Sequence, residues 1–231
     1  MNDETTTRDG ELISGVRVPG DGGPLQLYKK GETFTIRVHD TELMSSLAHE
    51  SEDALARLAC AKLAHAPEPV VLIGGLGMGY TLASALKSVG PKAKVIVAEL
   101  IPAIVEWNRG PLAHLAGRPL EDPRVTLRLQ DIALSLQTEL GEFDAILLDV
   151  DNGPSGLTRD SNNWLYSAEG LAAAYSALKP KGVLAVWSAT PEKSFTMRLR
   201  KAGYTVEEHR VQVYAEDQGD RHTIWLGTTG A

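Results

Sequence analysis

Val70-Val71-Leu72-Ile73-Gly74-Gly75-Leu76-Gly77-Met78-Gly79-Tyr80 is the stretch on which the reading of this 231-residue chain turns. Four apolar residues, three of them β-branched, specify a strand buried on both faces. They run straight into glycines at 74, 75, 77 and 79, and beyond these Leu82, Ala83, Ala85 and Leu86 recur at helical spacing. The unit is strand, glycine turn, helix. Glycine lets a ligand approach bare backbone, and the helix N-terminus offers unpaired N–H groups and the positive end of a dipole. A turn of this kind also serves tight packing alone, so its function is decided by the strands downstream of it.

A second apolar strand, Lys94-Val95-Ile96-Val97-Ala98, ends on Glu99. An acid at the tip of the second strand is placed to accept both hydroxyls of a ribose. Val125 to Leu129 forms a third strand ending in Gln130-Asp131, and Asp144 to Leu148 a fourth ending in Asp149. Acids thus follow three successive strands at their carboxyl ends, the edge where open α/β sheets bind ligands. The pattern predicts a nucleoside pocket. Asp131 opens the helix Ile132 to Leu140 and suits an N-cap as well as an adenine contact. Ile101, two residues past Glu99, packs either on an adenine face or in the core.

The stretch Asp149-Val150-Asp151-Asn152-Gly153-Pro154 sets two carboxylates one residue apart on a loop leaving the sheet. One can hold an amine by charge-assisted hydrogen bonds while the other takes its proton. Asp-Asn-Gly-Pro is also good turn chemistry, and turn and site coexist readily.

With these residues in place, the order of glycine loop, Glu99, Asp131 and Asp149 resembles the class I S-adenosylmethionine-dependent methyltransferase fold. It is more closely similar to the spermidine synthase (aminopropyltransferase) branch. Three matches carry that: Gly74-Gly75, the lead Asp122-Pro123-Arg124-Val125, and the run from Leu165-Tyr166-Ser167 to Leu178-Lys179-Pro180-Lys181-Gly182-Val183-Leu184. The resemblance implies a doubly wound, mostly parallel seven-stranded Rossmann-like α/β sheet with an antiparallel last strand. A short N-terminal β-hairpin, Leu25 to Tyr28 with Thr33 to Val38, would precede it. Residues 1–45 would form that extension and its irregular start, and 46–231 the transferase-like domain.

The same resemblance implies a co-substrate, S-adenosylmethionine or its decarboxylated form, held by Gly74, Gly75, Gly77, Gly79, Glu99, Ile101, Asp131 and the Ile132 N–H. Asp149 matches the family's presumed base, and Asp151 or Asn152 stands where a second aspartate falls. Asn152, Trp164 and Tyr166 lie where the family covers its substrate. His49-Glu50 matches part of a tyrosine-histidine-glutamate signature or is a solvated helix face. One departure is sharp: the family's glycine loop carries an aspartate for the amine of decarboxylated S-adenosylmethionine, and this chain has Gly77 there. That leaves room for an intact methionine carboxylate. Three readings remain: aminopropyl transfer to an amine, methylation of a small acceptor, or a binding-only relative without chemistry.

Composition narrows the rest. A formal net charge of −7 argues against a nucleic-acid partner, which needs a basic face, and suits a small cationic amine. No apolar run approaches membrane-spanning length, and Met1 to Gly10 is too polar for a signal peptide, so a cytoplasmic location is expected. Cys60 is the single cysteine and no histidine pairs at ligand spacing, so no metal is expected. Gly75-x-Gly77-x-Gly79 lacks dinucleotide spacing, which ranks a dehydrogenase third. A homodimer is implied by the family. A helix is expected over Ser46 to Ala64 with Leu47, Leu55, Leu58 and Leu63 inward, and another from Pro102 to Asn108, where Trp107 either stacks on a ligand or fills the core.

Overall fold

The computed structural model describes residues 10–18, 23–39, 41–150, 153–154, 160–216 and 219–231. Asp151 and Asn152 lie outside them. Seven strands form the main sheet. Five are parallel: β5 (Val70–Gly74), β6 (Lys94–Glu99), β7 (Val125–Leu129), β8 (Phe143–Leu148) and β9 (Leu178–Ser188). β10 (Thr205–Gln212) and β11 (Arg221–Thr228) close the sheet, giving the order β10-β11-β9-β8-β5-β6-β7. β11 lies between β9 and β10 and runs antiparallel to both.

The chain winds outward from β5 to β6 and β7, then returns to place β8 on the other side of β5. The crevice at the carboxyl ends of β5 and β8 is therefore a topological switch point, where such sheets bind ligands. Gly74 pairs with Leu148 there, so the glycine turn and Asp149 leave the sheet side by side.

Residues alternate across the sheet as the strand period of two requires. Val71, Ile73, Val95, Val97, Ala145 and Leu147 face one core with helices α1 (Glu50–Cys60), α2 (Tyr80–Ser88) and α3 (Pro102–Arg109). Leu72, Ile96, Ile146 and Leu148 face the other, covered by α4 (Ile132–Thr138), α5 (Ala168–Ala177) and α6 (Lys193–Lys201). Both faces are apolar, which accounts for the continuous hydrophobic runs of β5 and β8. No helix among the described residues is long and apolar enough to cross a membrane.

Ahead of this sheet the expected hairpin is the centre of something larger. β2 (Pro24–Lys30) and β3 (Thr33–Val38) pair as anticipated, but β1 (Glu11–Arg17) and β4 (Thr41–Ser45) flank them in a four-stranded antiparallel sheet. β1 has no fully buried residue and β4 is short, so neither shows clean alternation. Leu25, Leu27, Phe34 and Ile36 join the same buried cluster as Leu55, Met78 and Trp187, so this sheet packs directly onto the α1 side.

Several element boundaries differ from expectation. α1 starts at Glu50, because Ser46 is tied to β3 through Phe34 N–H to Ser46 Oγ at 3.0 Å. Leu47, expected inward, is 65% exposed. α4 stops at Thr138, leaving Leu140 in solvent. Trp107 is core, buried with Leu112 and Val105. Its neighbour Asn108 instead meets the glycine turn, donating from Nδ2 to Gly77 O at 2.8 Å.

Candidate active site at the sheet switch point

The glycine turn is shaped by its neighbours. Gly75 has φ +88°, and a Cβ there would collide with the Asp149 carbonyl oxygen. Only glycine lets the two strand ends approach so closely. A Cβ on Gly74 would meet Ile132 Cδ1 at 2.5 Å, so that glycine makes room for the start of α4. Gly79, at φ 87°, is the N-cap of α2. Gly77 is overlaid by the Met44 side chain from β4, with Cε 2.9 Å from where a Cβ would stand. The space next to Gly77 is thus apolar.

Glu99 ends β6 and is buried. Its Oε2 accepts from Leu76 N at 2.9 Å and its Oε1 from Ile101 N at 2.7 Å. Each oxygen keeps lone-pair capacity for another donor. Burial raises the Glu99 carboxyl above the usual carboxylate range, and the backbone N–H bonds work against that rise. Asp131 caps α4, its Oδ1 accepting from Ala133 N at 2.8 Å. Both readings of Asp131 are compatible with this geometry, because capping occupies one of its two oxygens.

Asp149 follows β8, its N–H bonded to Gly74 O at 3.0 Å. Oδ2 accepts a 2.6 Å hydrogen bond from Thr81 Oγ1 in the first turn of α2. A cavity opens over these residues. Gly75, Gly77, Glu99, Ile101, Asp131, Ile132 and Asp149 line it together. Seven of the expected positions therefore meet in one place. Gly74 and Gly79 are not among its described lining residues. Trp164 and Tyr166 do not line it: Tyr166 is buried against Phe195 and donates its hydroxyl to Val150 O at 2.9 Å, holding the Asp149 loop in place. Trp164 packs at the edge of the same core.

Glu52 is the residue that sequence reasoning missed. It lies in α1, 5% exposed, and lines the same cavity as Asp149. Its Oε2 accepts from Ser51 Oγ at 2.5 Å. Burial raises its pKa first and the Asp149 charge raises it further, while burial alone raises Asp149 and the Thr81 hydrogen bond opposes it. The signal was present in the sequence: Glu52 shares a helical stripe with Leu55, Ala56 and Ala59, where an acid is out of place. α1 is held against α2 by Ser84 Oγ donating to Asp53 O at 2.9 Å, which sets Glu52 beside Thr81.

The electrostatic character of the cavity is one-sided. Among the described lining residues are four carboxylates, Glu52, Glu99, Asp131 and Asp149, with no lysine, arginine or histidine. Buried acids without a counter-cation hold protons or await a cationic ligand. A second cavity adjoins the first and shares Leu43, Met44, Glu52 and Trp187 with it. Its remaining wall includes Glu42, Tyr214 and His222.

Comparison with known proteins agrees with this architecture. A polyamine aminopropyltransferase of Mycobacterium tuberculosis (strain CDC 1551 / Oshkosh) is 31% identical over 153 residues, covering 62% of this chain and 28% of that protein. One from Thermoanaerobacter sp. (strain X514) is 26% identical over 127 residues, covering 54% and 42%. The chain thus spans less than half the length of these relatives. Spermidine synthase from Thermotoga maritima superposes with a TM-score of 0.76 at 20% identity, covering 95% of this chain and 73% of that one. A spermidine synthase in complex with the transition state analogue AdoDATO gives 0.75 at 19%, covering 95% and 72%. The sequence model of the spermine/spermidine synthase domain matches residues 51–214, from the first turn of α1 to just past β10. That match spans most of the chain, and the chain belongs to the spermine/spermidine synthase family.

Proposed function

We propose that this chain is a transferase that binds decarboxylated S-adenosylmethionine and passes its aminopropyl group to a small amine. The observation that carries the reading is the cavity with four carboxylates and no cationic side chain among its described lining residues. The donor brings a sulfonium and an ammonium, and the acceptor a second amine. An intact methionine carboxylate would enter this acidic space without a cation to meet it. The similarity to aminopropyltransferases and to a synthase bound to AdoDATO supports the same reading.

In this scheme the nucleoside lies over Gly75 and Gly77, with its ribose hydroxyls on Glu99. The adenine sits between Ile101 and Ile132, with its amino group on the second oxygen of Asp131. Asp149 takes a proton from the acceptor ammonium. The freed nitrogen lone pair attacks the methylene carbon next to sulfur, the carbon–sulfur bond breaks, and sulfur leaves with that electron pair as a neutral thioether. Much of the acceleration comes from holding the amine and carbon in line, because a sulfonium is already a good leaving group. Asp151 and Asn152 are proposed to assist on the acceptor side.

Methyl transfer from intact S-adenosylmethionine is the competing reading, and it draws on Gly77, which offers no carboxylate to the donor amine. Calorimetric titration with the two donors separates them. Tighter binding of the decarboxylated form, followed by turnover with diamines, supports aminopropyl transfer. Tighter binding of the intact form replaces it with methyl transfer.

A further inference from the structure

Between the two cavities runs a continuous set of hydrogen bonds that the alkyl transfer leaves unused. Ser51 Oγ lies 2.5 Å from Glu52 Oε2 and 2.9 Å from His222 Nδ1, and it accepts a 2.9 Å bond from Trp187 Nε1. Ser51 and His222 are 171 residues apart in the chain. Trp187 stands edge-on to the His222 ring, with centroids 4.7 Å apart. Glu52 borders both cavities, whereas His222 borders only the second.

The indole N–H is only ever a donor, so it pins the Ser51 oxygen. Ser51 has one proton to give and two neighbours able to receive it. When Glu52 is ionised, Ser51 donates to Glu52, and His222 must present Nδ1–H to Ser51. When Glu52 is protonated, it donates to Ser51, Ser51 donates to His222, and His222 must carry its proton on Nε2. The state of Glu52 therefore sets the tautomer of a histidine that borders a different cavity.

We propose that Asp149 hands the proton it takes from the acceptor amine to Glu52 on the wall of the same cavity, and that Glu52, Ser51 and His222 form a proton relay that carries it on to the second cavity. This rests on the alkyl-transfer reading, which releases one proton per turnover. The transfer is balanced: the Glu52 proton moves to Ser51 oxygen, the Ser51 proton to His222 Nδ1, and the proton on Nε2 leaves. No electrons move, and one proton crosses. The ring then resets by exchange with solvent in the second cavity. Burial keeps His222 neutral, lowering its pKa to about 4 against the raising effect of Asp220, so the ring passes a proton on without trapping it. Among the described residues, the other charged groups near the relay are Asp149 and His49, which act on Glu52, and Glu42 on the wall of the second cavity.

The test is nitrogen-15 NMR of histidine-labelled full-length protein, with His222→Gln identifying the His222 resonances. On raising the pH through the elevated Glu52 titration, His222 is expected to switch from the Nε2–H to the Nδ1–H tautomer. Glu52→Gln and Ser51→Ala should abolish the switch, and Ser51→Thr, which keeps the hydroxyl, should retain it. A single tautomer at every pH, or a switch that survives Ser51→Ala in a folded protein, overturns the relay. This readout needs no turnover, so it stands apart from the donor titration that decides the reaction. In turnover, Ser51→Ala should lower kcat about 100-fold with KM kept, and an unchanged kcat would also overturn the proposal.

Discussion

Thr81 Oγ1 and Asp149 Oδ2 are 2.6 Å apart, joining the first turn of α2 to the loop after β8 across the switch point. The hydroxyl fixes one carboxylate oxygen and leaves the other to face the cavity chemistry. Asp149→Asn keeps this hydrogen bond and removes the base. Turnover is expected to fall about 100-fold or more, with donor affinity changed less than about threefold. Rapid-quench kinetics beside calorimetry measures both, and near-normal turnover would remove Asp149 from the role of base.

Glu99 holds two backbone N–H groups with its two oxygens. Glutamine has a single acceptor oxygen, so Glu99→Gln leaves Leu76 or Ile101 without its partner. The unmet N–H costs about 1–3 kcal/mol, visible as a lower urea midpoint. Donor binding should weaken about tenfold or more, and undiminished affinity would take Glu99 out of ribose recognition.

The two glycines of the turn should respond differently to alanine. At Gly75 the new methyl meets the Asp149 carbonyl, which is backbone and has no room to yield. Gly75→Ala is expected to abolish donor binding and to lower stability severely. At Gly77 the neighbour is the flexible end of Met44, so the cost is that of a positive φ, about 1–2 kcal/mol. Urea denaturation of the two variants gives the contrast directly.

Stability should depend on pH in a particular direction. Glu52 and Asp149 have folded-state pKa values raised by burial. An acid raised in this way binds its proton more firmly folded than unfolded. Its contribution is complete below the unfolded value and is lost as pH rises through the folded one. The free protein should therefore melt at lower temperature in mild alkali than in mild acid, and Glu52→Gln should reduce that fall by about 3 °C or more. A cationic donor should stabilise the protein most at the alkaline end. Melting curves across pH decide it, and an identical pH slope in the variant would contradict the assignment.

Most of the sheet could be read in advance because β5, β6 and β8 are apolar on both faces and each ends in, or is followed at once by, a glycine or an acid. The glycine-and-acid side of the cavity was legible for the same reason, since its residues sit at strand ends whose order follows from topology. The wall facing it was not. Met44 and Trp187 come from distant segments, and Glu52 was overlooked because its position on a buried helical stripe was not weighed against its charge. β1 and β4 escaped notice because their side chains are largely outside the core, leaving no alternation to find. Tyr166 shows the limit of motif matching: expected beside the substrate, it lies outside the cavity lining and donates its hydroxyl to the Val150 carbonyl.

β11 follows β10 in the chain but separates it from β9 in the sheet. During synthesis on the ribosome, β10 is therefore delivered before the strand it pairs with, and β9 keeps an open edge until β11 fills the slot. Such an edge invites pairing with other chains. The cavity that holds the glycine turn and Asp149 is built from residues up to Trp187, while the second cavity also needs Val213, Tyr214 and His222. A nascent chain thus acquires the walls of its first chamber before those of its second, and ligand present at that stage would favour the half-built sheet over its aggregation.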